Sequence, residues 1–137
     1  VPLWSLANVA GMKFDQYCLA CERACHQDER DAIFTQVRDA AYHIIEKKRA
    51  TYYAIGLALV EICETILRHE NSVLTVSTLL DGHLGVSDLY LSVPAVLNRR
   101  GVQRLIELNI SEEERRAFHR SAETIGEIIR ELSLERQ

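Results

Sequence analysis

The sequence offers no long apolar run. Its longest, Tyr52 to Val60, is too short to span a bilayer, and Glu61 and Glu64 follow it. Clustered positive charge is equally scarce: cations and anions alternate, and the net charge is −4. A nucleic-acid surface needs grouped Lys and Arg to neutralise phosphates, so that class is set aside. No charged leader precedes an apolar stretch at the opening Val1-Pro2-Leu3-Trp4, which argues against a secretory signal. The absence of an initiating Met points to a piece of something longer. Motifs that cradle phosphates or carry a nucleophile are missing too: there is no G-x-G-x-x-G after a strand, no G-x-x-x-x-G-K-[ST] and no G-x-S-x-G. Internal repeats and low-complexity tracts are also lacking.

What is present suits one globular domain. The 137 residues are 47% apolar and 26% charged. A chain of that length buries roughly two-thirds of its unfolded surface. Cys18, Cys21, Cys25 and His26 form C-x2-C-x3-C-H, four soft ligands close together. Zinc sites more often use two separated pairs, and no second pair exists here. The stretch YCLACERACHQDERDAIF instead reads as helix with its cysteines on one face, where small apolar thiols pack well. No metal site is expected. Cys63 reads as core, and without secretory signs all four thiols are expected free in a reducing cytoplasm.

Periodicity orders the rest. Residues 1–14 suggest short extended pieces and turns. From Asp28 to Lys48, Ala32, Ile33, Val37, Ala40, Ala41, Ile44 and Ile45 recur at three and four, predicting a helix with one buried stripe. Residues 51–67 predict a second helix, apolar on several faces and hence enclosed by other elements, ended by Glu70-Asn71. The period then becomes two. Ser72 to Leu80 and Leu89 to Leu97 predict strands around an Asp81-Gly82-His83-Leu84-Gly85 turn. Pro94 cannot donate to a ladder, which favours an edge or a bulge. A third strand carries Val102, Ile106, Leu108 and Ile110 on one face. The three runs read as an antiparallel meander.

Ser111 and Glu114 fit a capping box opening a last helix. Phe118, Ala122, Ile125, Ile129 and Leu132 form its inward stripe, and Glu127 and Arg130 can pair outside. His26, His43, His69, His83 and His119 have no partner at catalytic or ligand spacing and read as solvated surface residues. The residues alone reach an α+β domain with no visible catalytic set.

Four segments carry a resemblance further. VPLWSLANVAG resembles the segment following the active-site histidine motif of L-lactate dehydrogenases. KKRATYYAIGLAL resembles their substrate-pocket helix, LTVSTLLDGHLGVSDLYLSVPAVLNRRGV their long sheet signature, and SEEERRAFHRSAETI their C-terminal helix. The segments fall in the family's order with compatible spacings; residues 13–30 match least. The resemblance implies that residues 1–137 are the C-terminal substrate-domain portion of such an enzyme, of bacterial type. The dinucleotide-binding domain, the mobile loop with its arginine, the carboxylate-binding arginine and the Asp–His pair would lie upstream. No catalytic residue is therefore expected in this chain, and the chain by itself is expected to be inactive.

The same resemblance implies NAD as cofactor, pyruvate and L-lactate as substrates and a cytoplasmic homotetramer; charge and hydropathy add that neither nucleic acid nor membrane is expected as a partner. Thr51 would line the pocket beside the substrate's methyl end; read from the residues alone, it is a helix cap. Ile55, one turn later, would pack against the nicotinamide ring, where the residues alone suggest core packing. Tyr42 matches a tyrosine phosphorylated in some bacterial members, though the helical pattern reads it as a buried-edge aromatic. Lys48-Arg49-Ala50 departs from the family's commoner Lys-Gly-aromatic, and its cations suit the carbonyl end of the preceding helix. Two alternatives stand beside this reading. One is a malate dehydrogenase of the same superfamily; the other is a non-catalytic interaction or metal-binding module built on Cys18, Cys21 and Cys25.

Overall fold

The computed structural model describes residues 1–20 and 27–134. The chain divides into two compact units, one from Pro2 to Leu59 and one from Val60 onward. No helix among the described residues is long and apolar enough to cross a membrane.

The first unit opens with a 3-10 turn, Trp4–Leu6, and a small hairpin of β1 (Asn8–Val9) and β2 (Met12–Lys13). Ala10 and Gly11 both take positive φ, 52° and 83°, the geometry a two-residue hairpin needs to match strand twist. Two helices follow, α1 (Phe14–Ala20) and α2 (Gln27–Lys48). Arg30 of α2 gathers this end. Its guanidinium lies 5.9 Å from the Trp4 ring centroid and 5.2 Å from that of Phe14, and it pairs with Asp15. A planar cation on two aromatic faces joins electrostatic attraction to apolar contact.

Two expectations change in this unit. The α2 stripe of Ala32, Ile33, Val37, Ala40, Ala41, Ile44 and Ile45 forms on a helix but stays exposed. Periodicity says which face is apolar; it does not supply the element that covers it. Cys18 is buried and disulfide-bonded, so the expected four free thiols are corrected; Cys63 is free and exposed. Composition speaks to a compartment, whereas pairing depends on thiol geometry. Cys21, Cys25 and His26 lie outside the described residues.

The boundary between the units falls within α3 (Tyr53–Arg68). Far from being enclosed, Ile55, Leu57, Leu59, Val60 and Leu67 are exposed, while Thr65 is buried. The helix ends in a Schellman arrangement. Glu70 N–H donates to Thr65 O and His69 N–H to Ile66 O, with His69 at φ 58°.

The second unit is built on β3 (Ser72–Leu80), β4 (Leu89–Asn98) and β5 (Gly101–Leu105), an antiparallel sheet in the order β3-β4-β5. The expected meander is therefore present. Ser72 pairs with Leu97 and Leu80 with Leu89, so the alternating residues of both strands share faces. Leu80, Val86, Leu89, Leu91, Val93 and Ala122 form the core, with Leu105, Phe118 and Ile125 packed against it. The long final helix, α4 (Glu112–Leu134), starts where the capping box places it. Glu114 N–H donates to Ser111 Oγ at 3.2 Å, and Ser111 N–H to the Glu114 carboxylate at 2.9 Å.

The sheet corrects three details. β4 is central, yet it contains Pro94. The Pro94 carbonyl accepts from Ile106 N–H at 2.9 Å on the β5 side, just past the end of β5. In an antiparallel strand a residue's N–H and C=O point the same way, so the missing donor falls where that ladder stops. β5 itself is shorter than expected: it ends at Leu105, after a register shift opposite Val96 and Leu97, and Val102 is exposed while Ile110 is buried. On α4, Phe118, Ala122 and Ile125 reach the core, but Ile129 and Leu132 stay exposed, and among the described residues Glu127 and Arg130 form no ion pair. The architecture is α+β, an antiparallel meander with long helices.

Candidate functional site

The three residues singled out by sequence all lie in the first unit. α2 closes with Arg49 at φ 60°, its N–H donating to Ile45 O. This left-handed residue turns the chain out of the helix. A short connection, 50–52, leads into α3. Thr51 sits exposed in that connection, two positions before Tyr53, the first helical residue. The first α3 bond runs from Gly56 N–H to Tyr52 O at 2.8 Å, so the cap position belongs to Tyr52 and the helix-cap reading of Thr51 is corrected. Among the described residues the Thr51 hydroxyl makes no hydrogen bond. Ile55 stands in the first turn of α3 and is 58% exposed, not core. Tyr42, on α2, is 71% exposed, which replaces the expected buried edge with an open phenol.

Chemically, the α2–α3 junction offers an unengaged hydroxyl followed by an apolar side chain. The neighbouring surface of α2 carries Arg38 hydrogen-bonded to Asp39 at 2.7 and 3.0 Å. That hydrogen bond, more than any other effect, holds the Asp39 carboxyl below the usual aspartate range and the Arg38 guanidinium above its own. Among the described residues no group of three His, Cys, Asp or Glu side chains is placed to hold a metal ion.

The second unit holds features that sequence reading missed. His83 is buried, not solvated, and among the described residues its Nε2 has no hydrogen-bond partner. His119 is half-buried, its Nε2 lying 2.7 Å from Leu84 O. Together with Gly85, His119 borders an open groove of about 600 Å³ between the β3–β4 turn and α4. The available signal was Gly126, a glycine inside an otherwise continuous helical pattern.

Long helices, an antiparallel meander and an open helix junction at Thr51 are the features the described residues present. Residues 1–135 match the lactate/malate dehydrogenase, alpha/beta C-terminal domain, and the chain belongs to that family. It is 51% identical over 131 residues to the L-lactate dehydrogenase of Thermoanaerobacter sp. (strain X514), covering 96% of this chain and 42% of that protein. With the L-lactate dehydrogenase of Bacillus velezensis it shares 49% over 129 residues, covering 94% and 40%. Among solved structures, the minor L-lactate dehydrogenase of Enterococcus mundtii in its ligands-bound form superposes with TM-score 0.88 at 34% identity, over 93% of this chain and 40% of that one. A lactate dehydrogenase from a Medee basin deep-sea metagenome library gives TM-score 0.88 at 36%, over 96% and 42%. The chain thus spans about 42% of the length of its curated relatives.

Proposed function

We propose that residues 1–137 are the substrate-domain portion of an NAD-dependent L-lactate dehydrogenase, interconverting pyruvate and L-lactate in a cytoplasmic homotetramer. The observation that carries this reading is the 51% identity to an L-lactate dehydrogenase over nearly the whole chain. The exposed, unbonded hydroxyl of Thr51 supports its role as a pocket wall beside the substrate's methyl end. An alcohol of that size limits the room beside the reacting carbon and helps hold a three-carbon acid in register. Ile55 supports the cofactor side: an open apolar side chain in the next turn suits the face of a nicotinamide ring. No phosphate-cradling glycine motif occurs in these residues, so what fits here is the ring and not the dinucleotide's pyrophosphate. The nicotinamide, when bound, supplies or accepts the hydride; Ile55 and Thr51 orient and shield. Tyr42, open on α2, is accessible to a kinase in this reading.

The family spans lactate and malate dehydrogenases, so oxaloacetate is the discriminating substrate. The test is NADH oxidation by the complete protein with pyruvate and with oxaloacetate. Pyruvate is expected to be turned over with the higher kcat/KM, and the 137-residue chain by itself to show no turnover. Preference for oxaloacetate would move the assignment to malate dehydrogenase, and inertness of the complete protein towards both acids would remove the enzymatic reading.

A further inference from the structure

Arg30 is held against the opening segment by contacts of two kinds. Its guanidinium lies over the Trp4 and Phe14 rings, 5.9 and 5.2 Å from their centroids, and it pairs with Asp15. The two rings stand 5.9 Å apart, tilted by 33°. The Arg30 side chain is 18% exposed, whereas that of Asp15 is 73% exposed. Among the described residues Arg30 Nε is buried with no hydrogen-bond partner. As a source of stability this is a poor arrangement. Removing a guanidinium from water is costly, and one solvated carboxylate, with Nε unanswered, returns little. An apolar side chain of similar volume would fill the space against the rings without that cost. What arginine adds is direction: a flat cation takes the ring faces and presents its fork to Asp15 at a fixed angle. Trp4 belongs to the 3-10 turn, and Phe14 and Asp15 begin α1. Ala7 N–H donates to Trp4 O at 3.1 Å and Phe14 N–H to Ala7 O at 3.0 Å, so turn and helix start are already tied through the backbone. Arg30 fixes how that joined piece sits on α2.

We infer that Arg30 is a positioning residue for the reaction, acting through Trp4. The role rests on the lactate dehydrogenase reading, in which VPLWSLANVAG follows the active-site histidine motif. Trp4 then lies a few residues beyond that motif, and the ring that Arg30 holds sets the path by which the backbone leaves the histidine. Proton transfer needs the imidazole within hydrogen-bond reach of the substrate oxygen, and small errors of placement are expensive in rate. Arg30 touches neither substrate nor cofactor in this role; it keeps the chain behind the histidine from swinging. A buried cation that stability does not ask for is in this way matched to a geometry that catalysis does.

The test is steady-state kinetics of the complete protein with NADH and either pyruvate or oxaloacetate, whichever it turns over faster. Arg30→Met fills the space with an apolar chain that packs well against aromatic rings. It is expected to keep or raise the melting temperature while kcat falls by about tenfold at unchanged KM. Trp4→Leu is expected to lose a similar factor. The double variant is expected to be no slower than Trp4→Leu by itself, because both changes act through one ring. Asp15→Asn, isosteric and at an exposed position, is expected to lower kcat by a smaller factor, and it carries the test if Arg30→Met does not fold. A contact that serves stability alone would move the melting temperature and leave kcat in place. Unchanged kcat in Arg30→Met or in Asp15→Asn, or losses that multiply in the double variant, would overturn the role and leave the catalytic reading standing. Inertness of the unmodified protein towards both acids would overturn the two together.

Discussion

His119 Nε2 lies 2.7 Å from the carbonyl oxygen of Leu84, fastening α4 to the turn between β3 and β4. Leu84 holds φ 52° and Gly85 φ 81°, so the bond secures backbone that few sequences adopt unaided. Gly85 lies directly under the ring: a Cβ there would come within 3.4 Å of His119 Cε1. Replacing His119 by Ala should cost about 1–2 kcal/mol of unfolding free energy, from the lost hydrogen bond and the exposed carbonyl. Gly85→Ala should cost about as much through its positive φ. Urea denaturation midpoints check both, and unchanged midpoints would mean the turn is held by its backbone bonds alone.

The capping box at Ser111 gives a second test. Ser111→Ala removes the acceptor for Glu114 N–H and should destabilise α4 by about 1 kcal/mol. Amide hydrogen exchange should speed up in the first turn of α4 before the rest of the helix. Uniform acceleration along α4 would contradict a local role.

Arg49 occupies a left-handed position at the end of α2, where glycine carries no Cβ penalty. Arg49→Gly is therefore expected to stabilise the chain by about 1 kcal/mol. Thermal melts of the two proteins decide it, and a lower Tm in the variant would show that the arginine side chain contributes more than its backbone costs.

Thr51→Ala separates structure from activity. Because the residue is exposed and unbonded, its removal should leave the melting temperature unaltered. If Thr51 lines the pocket as proposed, kcat/KM of the complete protein for pyruvate should fall by about tenfold. Full activity in the variant would leave Thr51 as a connecting residue only.

Asp39 carries the pH prediction. Its folded-state pKa is depressed, chiefly by the Arg38 hydrogen bond. The contribution is therefore present above the unfolded aspartate pKa and is lost as pH falls through the lower folded value. An NMR titration should find the Asp39 carboxyl midpoint below that of an ordinary aspartate, and Arg38→Gln should return it upward. No movement in that variant would assign the shift to another group.

Sequence periodicity carried much of the fold. Alternation in Ser72–Leu80 and Leu89–Asn98, the Ser111/Glu114 box and the three-four spacing in α2 are local signals, fixed by side-chain direction along one element. The family, too, was legible, because four motifs survive in order along one chain. Three-dimensional packing decided what lies beyond one element. It left the α2 and α3 stripes uncovered, placed Pro94 in a central strand at the point where a ladder ends, and buried His83 within the turn between β3 and β4. It also drew His119 to Leu84, 35 positions away in sequence. A pattern tells each residue which way to face; only the folded chain supplies what stands opposite, and burial and hydrogen bonding depend on that.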